Sequence, residues 1–332
     1  MILDGHLEAS QQAAAAALAR GELLGLPTET VYGLAADADN DAAVAQIFAA
    51  KGRPADHPLI VHVADAGAIT RYAREVPLFA QRLIDAFWPG PLTVILPRLP
   101  GAACAATGGQ DSVGLRCPAH PVAHAVLQAC QRLERPIHGL AAPSANRFGR
   151  ISPTSAAHVA QELGMQLLVL DGGTCAVGIE STIVDCTRGQ PVLLRPGGIA
   201  RADVERVCGQ RVLSPGELAT NTPRASGTLL AHYAPTARVR LMPAAQLQAG
   251  LDVLGADAAH IAVYARAALK SASRRVLLRR MPLAADAAAR ELFAALRDLD
   301  DAGVKLIWVE TPPDTPDWEG VRDRLQRAAA AE

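Results

Sequence analysis

This 332-residue chain is short of several things, and each shortage removes a class of protein. Aromatic residues make up only 4%, so the core must be built from Leu, Val, Ile and Ala. Neither sign of charge is in excess: 32 Lys and Arg face 33 Asp and Glu, for a net charge of -1. A dedicated nucleic-acid binder usually carries a global basic field, and none is present. The six cysteines (Cys104, Cys117, Cys130, Cys175, Cys186, Cys208) form no C-x-x-C pair. That excludes a zinc knuckle or thioredoxin-like motif and reads them as small buried thiols in a reducing compartment. No apolar run reaches ~18 residues, so no transmembrane helix is expected. The start, Met1 to His6, has no basic n-region and is not a secretory signal. The expectation is a cytoplasmic protein with no membrane partner. The 27 Gly and 23 Pro show no three-residue period, which excludes a collagen-like chain. The familiar phosphate and hydrolase motifs are also missing: no G-x-x-x-x-G-K-[ST], no G-x-G-x-x-G, no G-x-S-x-G and no H-E-x-x-H. Any nucleotide site must be built differently.

What is present reads as an α/β protein. Hydrophobic residues are 50% and charged residues 20%, a globular mix. Residues 9–20 favour a helix that Gly21 closes, and Asn40 can cap a second with Val44, Ile47 and Phe48 on one face. Lys51 falls in its last turn, Gly52 ends it and Pro54 blocks continuation. Apolar runs at 22–27, 58–63, 92–96, 113–116, 167–170, 181–185 and 191–195 read as strands, and 137–142 leads into the Pro143 loop. Helices are expected at 77–87, from Pro121, and from about Ser152 to Gly164. Residues 209–238 turn rich in Pro, Gly, Ser, Thr and Asn and read as an interdomain linker. Beyond it the pattern is strand 239–242, helix 244–254, strands 260–264 and 276–280, helix 284–301, strand 304–309 and helix 319–329, a small Rossmann-like sheet.

Four loop segments concentrate unusual chemistry. The first, Pro27 to Leu34, presents Thr28, Thr30 and Tyr32; hydroxyls bonding their own turn explain it equally well. The second holds Lys51 and Arg53, then His57 and His62, a compact anion site in which Arg offers a planar fork and Lys a point charge. Lys51 also suits the helix C-terminus, and His62, inside an apolar strand, also fits a satisfied core histidine. The third joins Ser112, Arg116, Ser144 and Asn146; turn-making accounts for the last two, but Arg116 ends an apolar strand and needs a partner or a cavity. The fourth runs from Gly178 through Ser181 to Arg195, again at the end of an apolar strand. Arg53, Arg116 and Arg195 at or near strand ends are where α/β sheets place ligands.

Taken in order, PTETVYGL (27–34), KGRP (51–54), PLIVHV (58–63), WPGPLT (88–93), APSAN (142–146), GIESTIV (178–184) and RPG (195–197) resemble the YrdC-like family of threonylcarbamoyl-AMP synthases. The linker's His232-Tyr233-Ala234-Pro235 looks like the interdomain H-Y-x-P of the family's two-domain form. Ser226-Gly227-Thr228 departs from the Pro-Gly-Met-like stretch usual before it. The resemblance implies a YrdC-like domain over 1–208, with a twisted mixed sheet, flanking helices and a basic cavity. A linker or lid over 209–238 and a Rossmann-like domain over 239–332 follow. It implies synthesis of threonylcarbamoyl-adenylate and pyrophosphate from L-threonine, bicarbonate or CO2, and ATP with Mg2+ on its phosphates. The product would pass to a transferase complex that modifies the adenosine beside the tRNA anticodon. Thr30, His62, Arg116, the Ala142 backbone and Ser181 resemble threonine-binding positions. Arg53, His57, Ser112, Ser144, Ser152, Arg195 and Tyr233 resemble ATP-binding positions, with Lys51 and Asn146 lining the same cavity. Two other readings stay open. One is an RNA-binding module holding tRNA or duplex RNA on a concave basic surface. The other is carbamoyl-adenylate chemistry starting from carbamoyl phosphate. The basic residues between Arg266 and Arg280 read as a solvated face.

Overall fold

The computed structural model describes residues 1–217 and 223–331; positions 218–222 of the expected linker and position 332 of the expected C-terminal domain lie outside the described residues. Two compact units make up the chain. One comprises Met1–Phe148 and Ser152–Thr228, the other Gly149–Ile151 and Leu229–Glu332.

The first unit is organised by ten strands: β1 (Ile2–Asp4), β2 (Leu24–Leu26), β3 (Gly33–Asp37), β4 (Ile60–Val63), β5 (Leu92–Pro97), β6 (Ser112–Arg116), β7 (Gly139–Ala141), β8 (Leu168–Asp171), β9 (Thr182–Asp185) and β10 (Val192–Arg195). They form one mixed sheet in the order β1-β8-β2-β3-β7-β4-β6-β5-β9-β10. β4 runs parallel to β6 and β5 parallel to β9, while β5/β6, β4/β7 and β9/β10 are antiparallel. Strand alternation sends Val61 and Val63 into the main apolar cluster with Leu34, Val44, Ile47 and Leu115, and turns His62 to the opposite face. Each such fully buried aliphatic side chain stabilises the fold by roughly 1.5–3 kcal/mol.

Local signals act as the sequence predicts at the helix ends. Asn40 Oδ1 accepts from the Ala43 amide at 3.1 Å to start the helix Asp41–Lys51, and Gly52 ends it in the left-handed region with φ 61°. Ser155 caps the helix Ala156–Leu163, a few residues later than the sequence suggests. Three strands escape sequence reading, among them β7, whose three residues are held between β3 and β4. β1 is three residues long and gains its place only by pairing with β8. β3 begins at Gly33, inside the segment expected to be loop, because Gly33 pairs with Leu26 and folds 27–32 into the connection of a hairpin.

The second unit is a parallel sheet of β11 (Arg238–Met242), β12 (Ile261–Ala265), β13 (Leu277–Arg280) and β14 (Leu306–Glu310), ordered β11-β14-β12-β13. Leu247, Leu251, Ile261 and Val263 share one apolar cluster there. Helices Ala244–Leu254, Ala285–Asp301 and Glu319–Ala329 complete the Rossmann-like alternation. Within this unit Tyr233 is buried at φ 62°, its ring 5.5 Å from that of Phe293 and 5.2 Å from the Arg324 guanidinium carbon. Among the described residues, no helix is long and apolar enough to cross a membrane.

Candidate active site

The centre of the ten-stranded sheet brings the polar residues together. β4 and β6 run side by side in a register that sets His62 beside Arg116. Thr93, on the neighbouring β5, shares a 2.7 Å hydrogen bond between hydroxyls with Ser181, the residue just before β9. Arg195, the last residue of β10, turns back onto Ser181. Its Nε and Nη2 donate to the Ser181 carbonyl at 3.0 and 2.8 Å, and Nη2 also reaches Ser181 Oγ at 3.1 Å. Sheet register, not sequence proximity, assembles this row.

Three guanidinium groups are buried here, and a buried cation needs close partners. Arg116 has its Nη2 2.7 Å from Glu29 Oε1 and donates through Nε to the Gly90 carbonyl at 3.3 Å. Arg53 donates to the Pro58 carbonyl at 2.9 Å and to Ser226 Oγ at 3.1 Å. Arg195 Nη1 donates to the Ser226 carbonyl at 2.8 Å. The 226–228 segment, where the sequence departs from the usual linker pattern, therefore starts on two arginines of the site. A concave space adjoins it, with Ile60, Ile95 and Ile183 on its apolar part and Gln110, Ser112 and Ser226 among its polar groups.

The remaining expected residues are placed as follows. Thr30 is fully buried, its hydroxyl 2.9 Å from that of Thr28. Thr28 in turn donates to the Val31 carbonyl, so the turn-making role of these hydroxyls is also real. The Ala142 amide donates to the Ile60 carbonyl at 3.0 Å, pinning that backbone beside β4. Lys51 donates to the Ser144 carbonyl at 2.6 Å and to the Asn146 carbonyl, so its ammonium holds the 144–146 loop. Burial, and after it the charge of Arg53, push the Lys51 ammonium down to about 7. Ser152 donates to Glu180. His57 is half-buried with its ring 5.5 Å from Phe148, and burial lowers its pKa. Burial first, and then the Arg116 charge, hold His62 down at about 3, so the imidazole is neutral at physiological pH. Tyr233 belongs to the second unit.

The two buried thiols closest to Arg116 are held protonated. Cys117, next to Arg116, is raised to about 11 by burial, and Cys175 to about 12. Among the described residues, no group of three or more His, Cys, Asp or Glu side chains comes together in a way that could hold a metal. The arrangement can bind anions, orient a small polar molecule and exclude water.

Comparison with known proteins agrees with this chemistry. A family model described as telomere recombination matches residues 16–197, and one described as the threonylcarbamoyl-AMP synthase C-terminal domain matches 199–330. The threonylcarbamoyl-AMP synthase of Pyrococcus abyssi (strain GE5 / Orsay) is 39% identical over 95% of this chain and 93% of its own length. That of Bacillus subtilis (strain 168) is also 39% identical, over 95% of this chain and 92% of its own. The chain belongs to the threonylcarbamoyl-AMP synthase family. The crystal structure of P. abyssi Sua5 complexed with L-threonine superposes with a TM-score of 0.89 at 35% identity, covering 99% of this chain and 97% of that one. Both units thus have their counterpart in a solved threonylcarbamoyl-AMP synthase structure.

For a threonylcarbamoyl-AMP synthase the site contains side chains that the motifs alone leave unremarked. Glu29, Thr93, Glu180 and Ser226 all touch residues expected in it. Glu29, Thr93 and Glu180 lie inside quoted motifs, so the available signal was a carboxylate or hydroxyl within an otherwise apolar strand-end segment. Ser226 had no such signal, because linker composition reports flexibility and not contacts.

Proposed function

We infer that this threonylcarbamoyl-AMP synthase joins L-threonine, bicarbonate or CO2, and ATP, releasing pyrophosphate, and that it works in the cytoplasm. The observation that carries the reading is the convergence of Arg116, His62, Thr93, Ser181 and Arg195 across adjacent strands of one sheet. The threonine amine bonds to the carbon of bicarbonate or CO2 to give a carbamate. A carbamate oxygen then attacks the α-phosphorus of ATP, and pyrophosphate leaves. Such a transfer depends on positioning and charge neutralisation more than on a strong base. A site of buried arginines, hydroxyls and a neutral imidazole suits that demand.

Arg116 takes the threonine carboxylate, with Thr30, His62, the Ala142 backbone and Ser181 around the rest of the amino acid. Arg53, Arg195, Ser112, Ser144, Ser152 and His57 serve ATP, which makes Ser226 the group its phosphates displace from the two arginines. Lys51 acts through the 144–146 loop, and Asn146 closes that loop. Linker residues 223–228, in the first unit, cover the nucleotide. ATP enters as its magnesium complex; the residues at hand fit a metal carried on the phosphates, since they are mostly cationic and hydroxylic. The product feeds a tRNA-modifying transferase.

Pyrophosphate release from Mg-ATP by the purified full-length chain tests the reading. Release that needs L-threonine and bicarbonate together supports it. Intact ATP with both present overturns it, and carbamoyl phosphate as the required co-substrate would favour the alternative carbamoyl-adenylate chemistry.

A further inference from the structure

Glu29 is buried, its side chain about 10% exposed, in the connection between β2 and β3. Its partner Arg116 is about 5% exposed. The contact is an ion pair at 2.7 Å, yet no N–H or O–H of the described residues aims a hydrogen bond at either Glu29 oxygen. The neighbouring backbone is fixed. The Glu29 carbonyl accepts from Val177 at 2.7 Å, and Thr28 and Thr30 brace the turn on either side. A buried carboxylate held this firmly without a hydrogen-bond donor leaves its oxygens desolvated and unmatched. Arg116 neutralises its charge but leaves acceptor capacity unused.

We propose that Glu29 and Arg116 act together as a buried complement to a zwitterion, with Glu29 receiving the α-ammonium of the amino acid whose carboxylate Arg116 binds. The idea rests on the assignment of Arg116 to threonine given above. A lone buried arginine would attract any carboxylate. An arginine already paired with a carboxylate presents a plus and a minus side by side. The net-neutral pair then favours a ligand with the opposite pattern, a carboxylate one carbon away from an ammonium. An ammonium offers three N–H donors to the two unused oxygens. Glu29 is thereby a specificity-determining residue.

The arrangement also has a consequence for the reaction. On carbamate formation the threonine nitrogen loses two protons and bonds to the bicarbonate carbon. One proton leaves with the bicarbonate hydroxyl as water and the other goes to solvent. The group beside Glu29 thereby changes from +1 to -1. The carboxylate that draws the ammonium in turns the carbamate away, toward the arginines that serve ATP.

The test compares two ligands by calorimetry on the full chain, without ATP or bicarbonate: L-threonine, and the 2,3-dihydroxybutanoate of matching stereochemistry, which has a hydroxyl in place of the ammonium. The wild type should bind threonine at least ~10-fold more tightly, as a charge-assisted contact in a closed site implies. Glu29→Gln should lower threonine affinity by a similar factor, leave the hydroxy acid unaffected or improved, and so abolish the preference. Glu29→Asp keeps the charge and should retain a preference even at reduced affinity. A merely structural role for Glu29 would weaken both ligands equally, and that outcome overturns the proposal. So does a wild type that binds both ligands alike, a result that stands even if Glu29→Gln does not fold. If the wild type binds neither ligand, it is the threonine-site assignment itself that fails.

Discussion

His62 shows how one residue's surroundings decide its chemistry. In sequence it is a histidine between two valines, equally readable as core or as ligand-binding. In the fold it lies on β4 next to Arg116, and its pKa falls from the ordinary 6.5 to about 3. The unfolded chain binds a proton at this residue below about pH 6.5, whereas the folded chain does not until pH 3. The stability contributed by neutral His62 is therefore complete above about pH 6.5 and drains away as pH falls toward 3. The slope approaches 1.4 kcal/mol per pH unit for one such group. Urea unfolding of the wild type should lose stability between pH 6.5 and 4.5. His57 and His120, also lowered by burial, push the same way, so the measurement is the difference from His62→Gln. That variant should show a shallower acid limb by up to ~1.4 kcal/mol per pH unit. Identical slopes would show that His62 titrates normally in the fold.

At the scale of elements, the site depends on loops held very close to strand ends. Gly197 in the RPG segment is the clearest instance. A Cβ built there would sit 2.4 Å from the Thr182 amide nitrogen and 2.6 Å from the Glu180 carbonyl oxygen. Both atoms are backbone, so neither can swing aside. Glycine is needed here for close approach, since the segment that ends β10 packs directly on the entrance to β9. Gly197→Ala should cost roughly 1–3 kcal/mol of stability, in the range of overpacked sites. It should also displace Ser181 and Arg195 and reduce the rate of pyrophosphate release. A thermal melt and an activity assay on the same sample check both effects. An unchanged melting temperature would mean that the loop can move away from β9 without penalty. The strut made by Lys51 beneath residues 144–146 follows the same logic, with an ammonium holding two carbonyls in place of a turn.

The whole molecule is nearly neutral, with net charge -1 and a pI near 6.8. Four of its cations, Lys51, Arg53, Arg116 and Arg195, are buried inside the first unit, while most of the others are not buried and are balanced by acidic residues. Near-zero net charge removes the mutual repulsion that keeps copies apart. Solubility in a polyethylene glycol titration should therefore pass through a minimum close to pH 7 and rise by pH 8.5. A monotonic curve across that range would contradict the charge argument. The same balance bears on the RNA-binding reading, for which no basic surface was found in composition.

The sequence by itself determined the family, the α/β class and nearly all of the helices and strands. Those features are written in local terms: apolar alternation, the Asn40 cap, the Gly52 stop, and seven ordered motifs. It also named Arg116 and Arg195 as ends of apolar strands, because a charge there violates the local pattern, and Arg53 as a cation just past a helix end. Tertiary structure decided the rest. The strand β1 exists through pairing with β8, 164 or more residues away in the chain, which no window can see. The β2–β3 hairpin converts an expected loop into the mount for Glu29 and Thr30. The pairing of Glu29 with Arg116, of Thr93 with Ser181, and of Ser226 with two arginines joins residues far apart in sequence. Burial and charge proximity, which set the state of His62 and Lys51, are properties of the packed sheet and not of any segment within it.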